Sequence, residues 1–273
     1  MKTPLVSVIM PVYNSGAYVD QAIESLVNQT YENIEVIVVD DGSKDDTWKR
    51  LQAWGKKDAR VKPFRNKQNL RIVKTLNFAI SQAKGDYLAR MDGDDERMPD
   101  SIEKQVAFLA ANPEVAIVGG TTQVCDEHMK PINLRHYPET DAVIRQKMFR
   151  FSPFTHPTVM MRKSMLPKQP VYDEKFNWAE DYDLYFRLAQ NGKLANLSDV
   201  LYKLRTHKES VSRTKARHQE KLTLFIRLKA VFEYGFTMRA SDKFYFVAQL
   251  ITMYLMPTSF RFWLFNKIRM IMK

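Results

Sequence analysis

Three acidic stretches carry the residue types from which chemistry could be built. VVDDGSKDDT, residues 38–47, closes an apolar run on the adjacent carboxylates Asp40 and Asp41. RMDGDDERMPD, residues 90–100, crowds Asp92, Asp94 and Asp95 into four positions. WAEDYDLYFRL, residues 178–188, opens a helical pattern on Glu180, Asp181 and Asp183. Paired like charges at the end of a buried segment need solvent or a partner. A hard divalent cation with oxygen ligands removes that repulsion for the 92–95 group, and the same ion can bridge to phosphates. An EF-hand is excluded, because the spaced ligands and the distal Glu are missing. A solvated acidic turn before Pro99 is the plain alternative.

The elements that must position these residues alternate. LVSVIMPVYN reads as a strand and is followed by a helix with Val19, Ala22, Ile23, Leu26 and Val27 on one face. IEVIVVDD is a second strand, and Ser43 is placed to cap a helix that follows it. RVKPFRN, LRIVKTLNFAISQA and GDYLARMD continue the alternation, at the spacing of right-handed βαβ crossovers in a mostly parallel sheet. A helix between Pro99 and Pro113, the strand VAIVGG, the helix EDYDLYFRLAQNG and a last strand LANLSDVLYKLRTH complete the body. Ligands of such sheets bind outside the carboxyl ends of the strands, and PVYN, DDGS and MDGDD all fall at strand ends. The turn PVYNSGA lacks G-x-G-x-x-G, and G-x-x-x-x-G-K-[ST] occurs nowhere, so Rossmann dehydrogenases and P-loop proteins are excluded.

Composition narrows the class further. The single Cys125 excludes an internal disulfide framework and a multi-cysteine metal site. The start MKTPLVSVIMPVYN is too short in its apolar stretch for a signal peptide, so a cytoplasmic protein, peripheral on the inner face of the cell membrane, is expected. The net charge of +11 is carried by the end of the chain, since residues 203–273 hold 15 Lys+Arg against 4 Asp+Glu and the rest balances. A neutral body with a basic tail separates chemistry from contact with an anionic surface.

SVIMPVYN, VVDDGSKDDT, ARMDGDD and EDYDLYFRL, in this order and spacing, resemble glycosyltransferase family 2 over about three quarters of the chain. The resemblance implies an α/β GT-A fold, a Rossmann-like mostly parallel sheet flanked by helices. Residues 1–212 would be the catalytic domain, with 1–120 the nucleotide-sugar half and 121–212 the acceptor half. Residues 213–273 would be a C-terminal helical appendage. It further implies an inverting, metal-dependent enzyme moving a hexose or N-acetylhexosamine from a UDP-sugar to a glycan hydroxyl, in bacterial surface polysaccharide synthesis. Asp41 would contact the uracil, with Pro11 and Tyr13 lining the base pocket, while Asp40 is free to cap the following helix. Asp94 would ligate Mn2+ or Mg2+, Asp95 is a candidate second ligand, and Asp92 lies toward the ribose or the metal's water shell. Asp181 would be the base that deprotonates the acceptor, a task for a carboxylate within hydrogen-bond reach.

Other positions stay open on both sides. Arg90 could face a phosphate or the sugar, or form a surface salt bridge. Arg205 and His207 could reach the leaving diphosphate or the metal, His207 being equally at home on the surface. His156 falls where relatives carry His-Pro near the acceptor. Trp178 could stack on an acceptor sugar or pack in the core, and Glu180 could be a helix-start acid. Arg71 stands where relatives begin a helix with a small residue, often Gly; it could reach a phosphate or lie on the surface.

The tail reads as helices over residues 214–234, 243–256 and 259–272, dense in aromatics and Met. Residues 244–265 are interrupted by Gln249, Pro257 and Arg261, which favours amphipathic helices lying on an anionic membrane over a spanning one. Packing on the body or a homo-oligomer contact are the alternatives, and no nucleic-acid motif accompanies the charge. A lipid-linked acceptor would fit such a tail. A catalytically silent UDP-sugar-binding protein and a nucleotidyltransferase are the rival functions; the second lacks its glycine-rich basic loop.

Overall fold

A computed structural model describes residues 3–206 and 216–256. Nine strands form one sheet: β1 (Val6–Val12), β2 (Ile34–Asp40), β3 (Val61–Arg65), β4 (Tyr87–Arg90), β5 (Glu96–Arg97), β6 (Val115–Cys125), β7 (Pro131–Arg135), β8 (Met160–Arg162) and β9 (Lys193–Arg205). The order is β3-β2-β1-β4-β8-β6-β9-β5, with β7 paired to the far half of β6. β3, β2, β1 and β4 are mutually parallel. β8 runs antiparallel to both neighbours, and β9 returns parallel to β6. Every residue of β1 and β2 is buried, as the mostly apolar runs of central parallel strands should be, and two polar exceptions, Ser7 and Glu35, hydrogen-bond to each other.

Helices α1 (Val19–Val27), α2 (Thr47–Lys57) and α4 (Ser101–Ala111) cover one face of the sheet, burying Ile23, Leu51, Trp54 and Ile102. On the other face lie α3 (Arg71–Gln82), α5 (Asp141–Lys147), α6 (Glu180–Asn191) and α7 (Ala216–Phe232), with Leu76, Ile144, Phe186 and Ile226 in a common core. The expected second tail helix is α8 (Ala240–Leu255), three residues longer at its start than its apolar pattern suggests. The expected helix at 259–272 lies outside the described residues.

Two local expectations are corrected. Ser43 does not cap α2, which begins at Thr47 with Asp46 in the cap position. The Ser43 hydroxyl instead accepts from the Asn14 N–H at 2.9 Å, while Asp45 accepts from Gly16 N at 2.9 Å and from Thr47 N at 3.1 Å. Asp40 does not cap α2 either: it accepts from Ser43 N at 2.9 Å and pairs with Arg65 Nε at 3.0 Å. Ser43 and Asp45 thus bind the β1–α1 and β2–α2 loops to each other, while Asp40 closes its own turn and ties it to β3. Side chains of this kind favour such local backbone bonds over helix interiors.

Gly42 closes that turn at φ +75°, and a Cβ there would stand 2.8 Å from the Gln68 carbonyl carbon and 3.0 Å from Asn69 N. Gly42→Ala should therefore cost about 2 kcal/mol, combining left-handed strain with displaced backbone. Thermal unfolding would show a midpoint several degrees lower; an unchanged midpoint would contradict the account.

Candidate active site

The acidic loop follows β4 and crosses the carboxyl end of β1. A Cβ on Gly93 would lie 2.6 Å from Val12 Cγ1, so the loop rests flat on β1 only because this position has no side chain. Asp92, Asp94 and Asp95 bring carboxylate oxygens within 4.8 Å of one another. Their placement depends on β9: the Tyr202 hydroxyl accepts from Asp92 N at 3.1 Å, and Arg205 N donates to Asp95 Oδ1 at 2.7 Å. The Arg205 side chain donates to Asp94 O at 2.7 Å, Glu127 O at 2.6 Å and Gln21 Oε1 at 2.7 Å, with its guanidinium over the Tyr18 ring. It straps the loop to α1 and to the β6–β7 connection. Burial pushes the Asp95 carboxyl well above the ordinary carboxylate range, with Asp94 and Asp92 adding to the shift, and it raises Asp92 as well. With Asp94 beside them, these two carboxyls complete three hard oxygen donors in a set that suits a divalent cation.

Arg90, 3% exposed, is no surface ion pair. Its Nη1 donates to Asp92 Oδ1 at 2.5 Å, and its Nε is buried without a hydrogen-bond partner among the described residues. Burial works most strongly against its charge, but Asp92, with Tyr202 and Tyr172, more than compensates, and the guanidinium stays charged. The same charge bears on Glu180, Asp181, His156 and Tyr172, so one buried guanidinium serves the acidic loop and the start of α6 together.

At the start of α6, Glu180 and Asp181 are both raised, burial being the largest cause, Asp181 to about 6 and Glu180 to about 7. A carboxylate poised near 6 is ionised at neutral pH and still a useful proton acceptor. The Glu180 side chain accepts from Trp178 N at 2.8 Å. Trp178 takes φ +85°, a backbone state that a bulky residue adopts only when its surroundings impose it. His156 donates to or accepts from the Tyr172 hydroxyl at 2.8 Å, and its ring meets those of Tyr172 and Tyr185 edge-on. Burial and then Arg90 push its pKa well below the usual value, so His156 is neutral at physiological pH.

The nucleotide side is built on β1 and β2. Pro11 is buried opposite Val39, and Tyr13, 42% exposed, stands just past the strand end. Asp41 is buried and accepts at Oδ1 from Asn66 Nδ2 at 2.8 Å and from Leu70 N at 2.9 Å, which aims its carboxylate before any ligand arrives. Arg71 occupies φ +69°, the conformation in which a glycine is unstrained, and its side chain is exposed. His207 lies outside the described residues.

Sequence reasoning passes over four residues here. Tyr172, Tyr185 and Tyr202 look like core aromatics in the sequence. Arg97 looks like a loop charge, yet it is buried and donates to Gln105 Oε1 at 2.9 Å and to Arg90 O at 2.8 Å. Its only advance signal is a basic residue inside an acidic strand-end loop.

Residues 7–169 match the family described as Glycosyl transferase family 2. The O-antigen biosynthesis glycosyltransferase WbnJ of Escherichia coli is 32% identical, over 79% of this chain and 85% of its own length. Among solved structures, S. aureus TarS 1-349 in complex with UDP-GlcNAc superposes with a TM-score of 0.70 at 20% identity, over 90% of this chain and 71% of that one. The mannosyltransferase PcManGT of Pyrobaculum calidifontis, in complex with GDP-Man and Mn2+, gives 0.66 at 17% identity, over 93% and 71%. These two share the fold.

Proposed function

The chain belongs to glycosyl transferase family 2, and from that premise we propose that it transfers a hexose or N-acetylhexosamine from a UDP-sugar to a hydroxyl of a lipid-linked glycan, with inversion, during surface polysaccharide synthesis. One observation carries the reading: Arg90, hydrogen-bonded to Asp92 of a metal-suited carboxylate triad, also places its charge on a half-buried aspartate, Asp181, whose pKa is raised to about 6.

Each group has a task in that reaction. Asp181 accepts the acceptor hydroxyl proton as that oxygen attacks the anomeric carbon, and the C–O bond to UDP breaks on the opposite face. An α-linked donor thereby yields a β-linkage. Asp92, Asp94 and Asp95 would hold Mn2+ or Mg2+, which when bound neutralises charge on the diphosphate. Asp41, with Pro11 and Tyr13, reads the base. The UDP-GlcNAc complex of the TarS neighbour supports a uridine donor, whereas the Pyrobaculum neighbour carries GDP-Man, so the base assignment rests on Asp41. WbnJ supports the polysaccharide context.

The acceptor's lipid would be met by the C-terminal helices. Phe232 is 81% and Phe244 78% exposed, with Phe225, Val247, Ile251 and Leu255 also facing outward and Arg239 and Lys243 beside them. No described helix is long and apolar enough to cross a membrane, so these helices would lie on its inner face.

UDP release from UDP-glucose, UDP-galactose, UDP-GlcNAc and UDP-GalNAc, with Mn2+ and without acceptor, tests the donor. Slow release from one of them, abolished by chelator, is expected. Turnover of GDP-mannose in preference to all four would sink the uridine assignment. Metal-dependent UDP binding with no transfer to any lipid-linked acceptor would sink the enzymatic reading.

A further inference from the structure

Arg227 on α7 is 2% exposed, and among the described residues its guanidinium pairs with no carboxylate. A buried cation is costly unless all its hydrogens are used and its setting needs it. Here Nε donates to the Tyr182 hydroxyl at 3.0 Å, Nη1 to Gln249 Oε1 at 2.6 Å and Nη2 to Arg150 O at 3.0 Å. The guanidinium also lies over the Tyr182 and Tyr245 rings, 5.9 and 5.6 Å from their centroids. Three separate pieces of chain meet on it: the first turn of α6, the segment after α5, and α8. The Tyr182 hydroxyl in turn donates to Met148 O. Arg150 is itself tied to the start of α8, through Asp242 at 2.9 Å and Ser241 at 2.7 Å.

Arg227 is not alone in this. Gln219, two turns earlier on α7, donates to Trp178 O at 2.9 Å. Lys229 lies 3.3 Å from Asp183 Oδ1, and the Tyr234 hydroxyl donates to the same oxygen at 2.8 Å. Residues 178, 182 and 183 are thus each held from the C-terminal helices, on both sides of Asp181. Asp181 itself takes part in none of these contacts, and it feels the charge of Arg90.

From this bracket we infer that Arg227 is a positioning residue for the transfer reaction, and that α7 and α8 are part of the catalytic unit because they fix the helix turn that aims Asp181. The inference rests on Asp181 being the base. Tyr182 is adjacent to Asp181, and a helix start held through its side-chain hydroxyl and a strained residue at 178 has little slack; loosening it lets the carboxylate turn toward water.

Selective carbon-13 labelling of Asp in the full chain, with Asp181→Asn to assign the signal, reads the effect directly. In Arg227→Met the Asp181 carboxyl should titrate about one unit lower than in the wild type, toward the ordinary carboxylate value. Arg227→Lys should recover at least half of that shift. UDP binding in the presence of Mn2+ should stay within about twofold, since the donor residues lie on other strands. Gln249→Met removes one acceptor without touching Arg227; it should move Asp181 in the same direction by less, and it decides the matter if Arg227→Met does not fold. Wild-type titration of Asp181 in both variants would overturn the inference, and so would a matching loss of UDP affinity, which marks a general structural role. An Asp181→Asn enzyme with full transfer rate would instead remove the base assignment, whatever Arg227 does.

Discussion

Asp181→Asn is expected to lower the transfer rate by about 10²–10⁴-fold, the range in which a positioned base acts, while UDP affinity stays near that of the wild type. The wild-type rate should fall as pH drops below about 6, because burial raises the Asp181 pKa to that value and only the carboxylate can take the acceptor proton. The stability effect has the opposite sign. An acid whose folded pKa lies above its unfolded value holds its proton more tightly in the folded state. Its favourable contribution is present below the unfolded value near 4 and is lost as pH rises through about 6. At pH 7.5 the ionised Asp181 burdens the fold, so Asp181→Asn should unfold at the same temperature as the wild type or higher. A variant both inactive and thermally weaker at pH 7.5 would mean that Asp181 is a structural residue.

Metal removal should act on a similar scale. Chelation is expected to lower transfer by about 10²–10³-fold, the rate equivalent of several kcal/mol of charge stabilisation. Mn2+ should restore the wild-type chain but not Asp94→Asn. Calorimetric titration should show UDP affinity falling together with the rate, because the Asp92, Asp94 and Asp95 oxygens repel a diphosphate when no cation lies between them. Undiminished transfer in excess chelator would remove the metal from the account and leave Arg90 as the cation facing the donor.

The parts of this protein written in local pattern were legible in its sequence. β1 and β2 are dominated by apolar residues, α1 carries one apolar face and α6 a broader one, and the strand-end motifs follow from them. The acidic loop could be found because three carboxylates in four residues have few structural uses. What escaped depends on partners distant in the chain. β5 is two residues long and exists only because Glu96 and Arg97 pair with Lys203 and Tyr202. α5 has a single fully buried residue, Ile144, and so little periodicity. Ser43 satisfied every sequence rule for a cap, but the Asn14 N–H, 29 residues away, claims its hydroxyl. The tail was legible only in part: packing on the body was one of its readings, but not which charges would take part in it. Arg227 and Lys229 counted as surface charge by composition, while each is held against α6 by residues that a one-dimensional reading does not place nearby.

The strand β8 has a consequence for how such a protein diversifies. It is the seam at which the parallel half of the sheet, bearing Asp41 and the acidic loop, meets the half that leads to Asp181. Between β6 and α6 the chain makes only short excursions, and β8 is fastened by five register pairs to its neighbours. Length changes in those excursions would leave the registers of β1, β2 and β4 untouched, and with them the placement of Asp41 and the acidic loop.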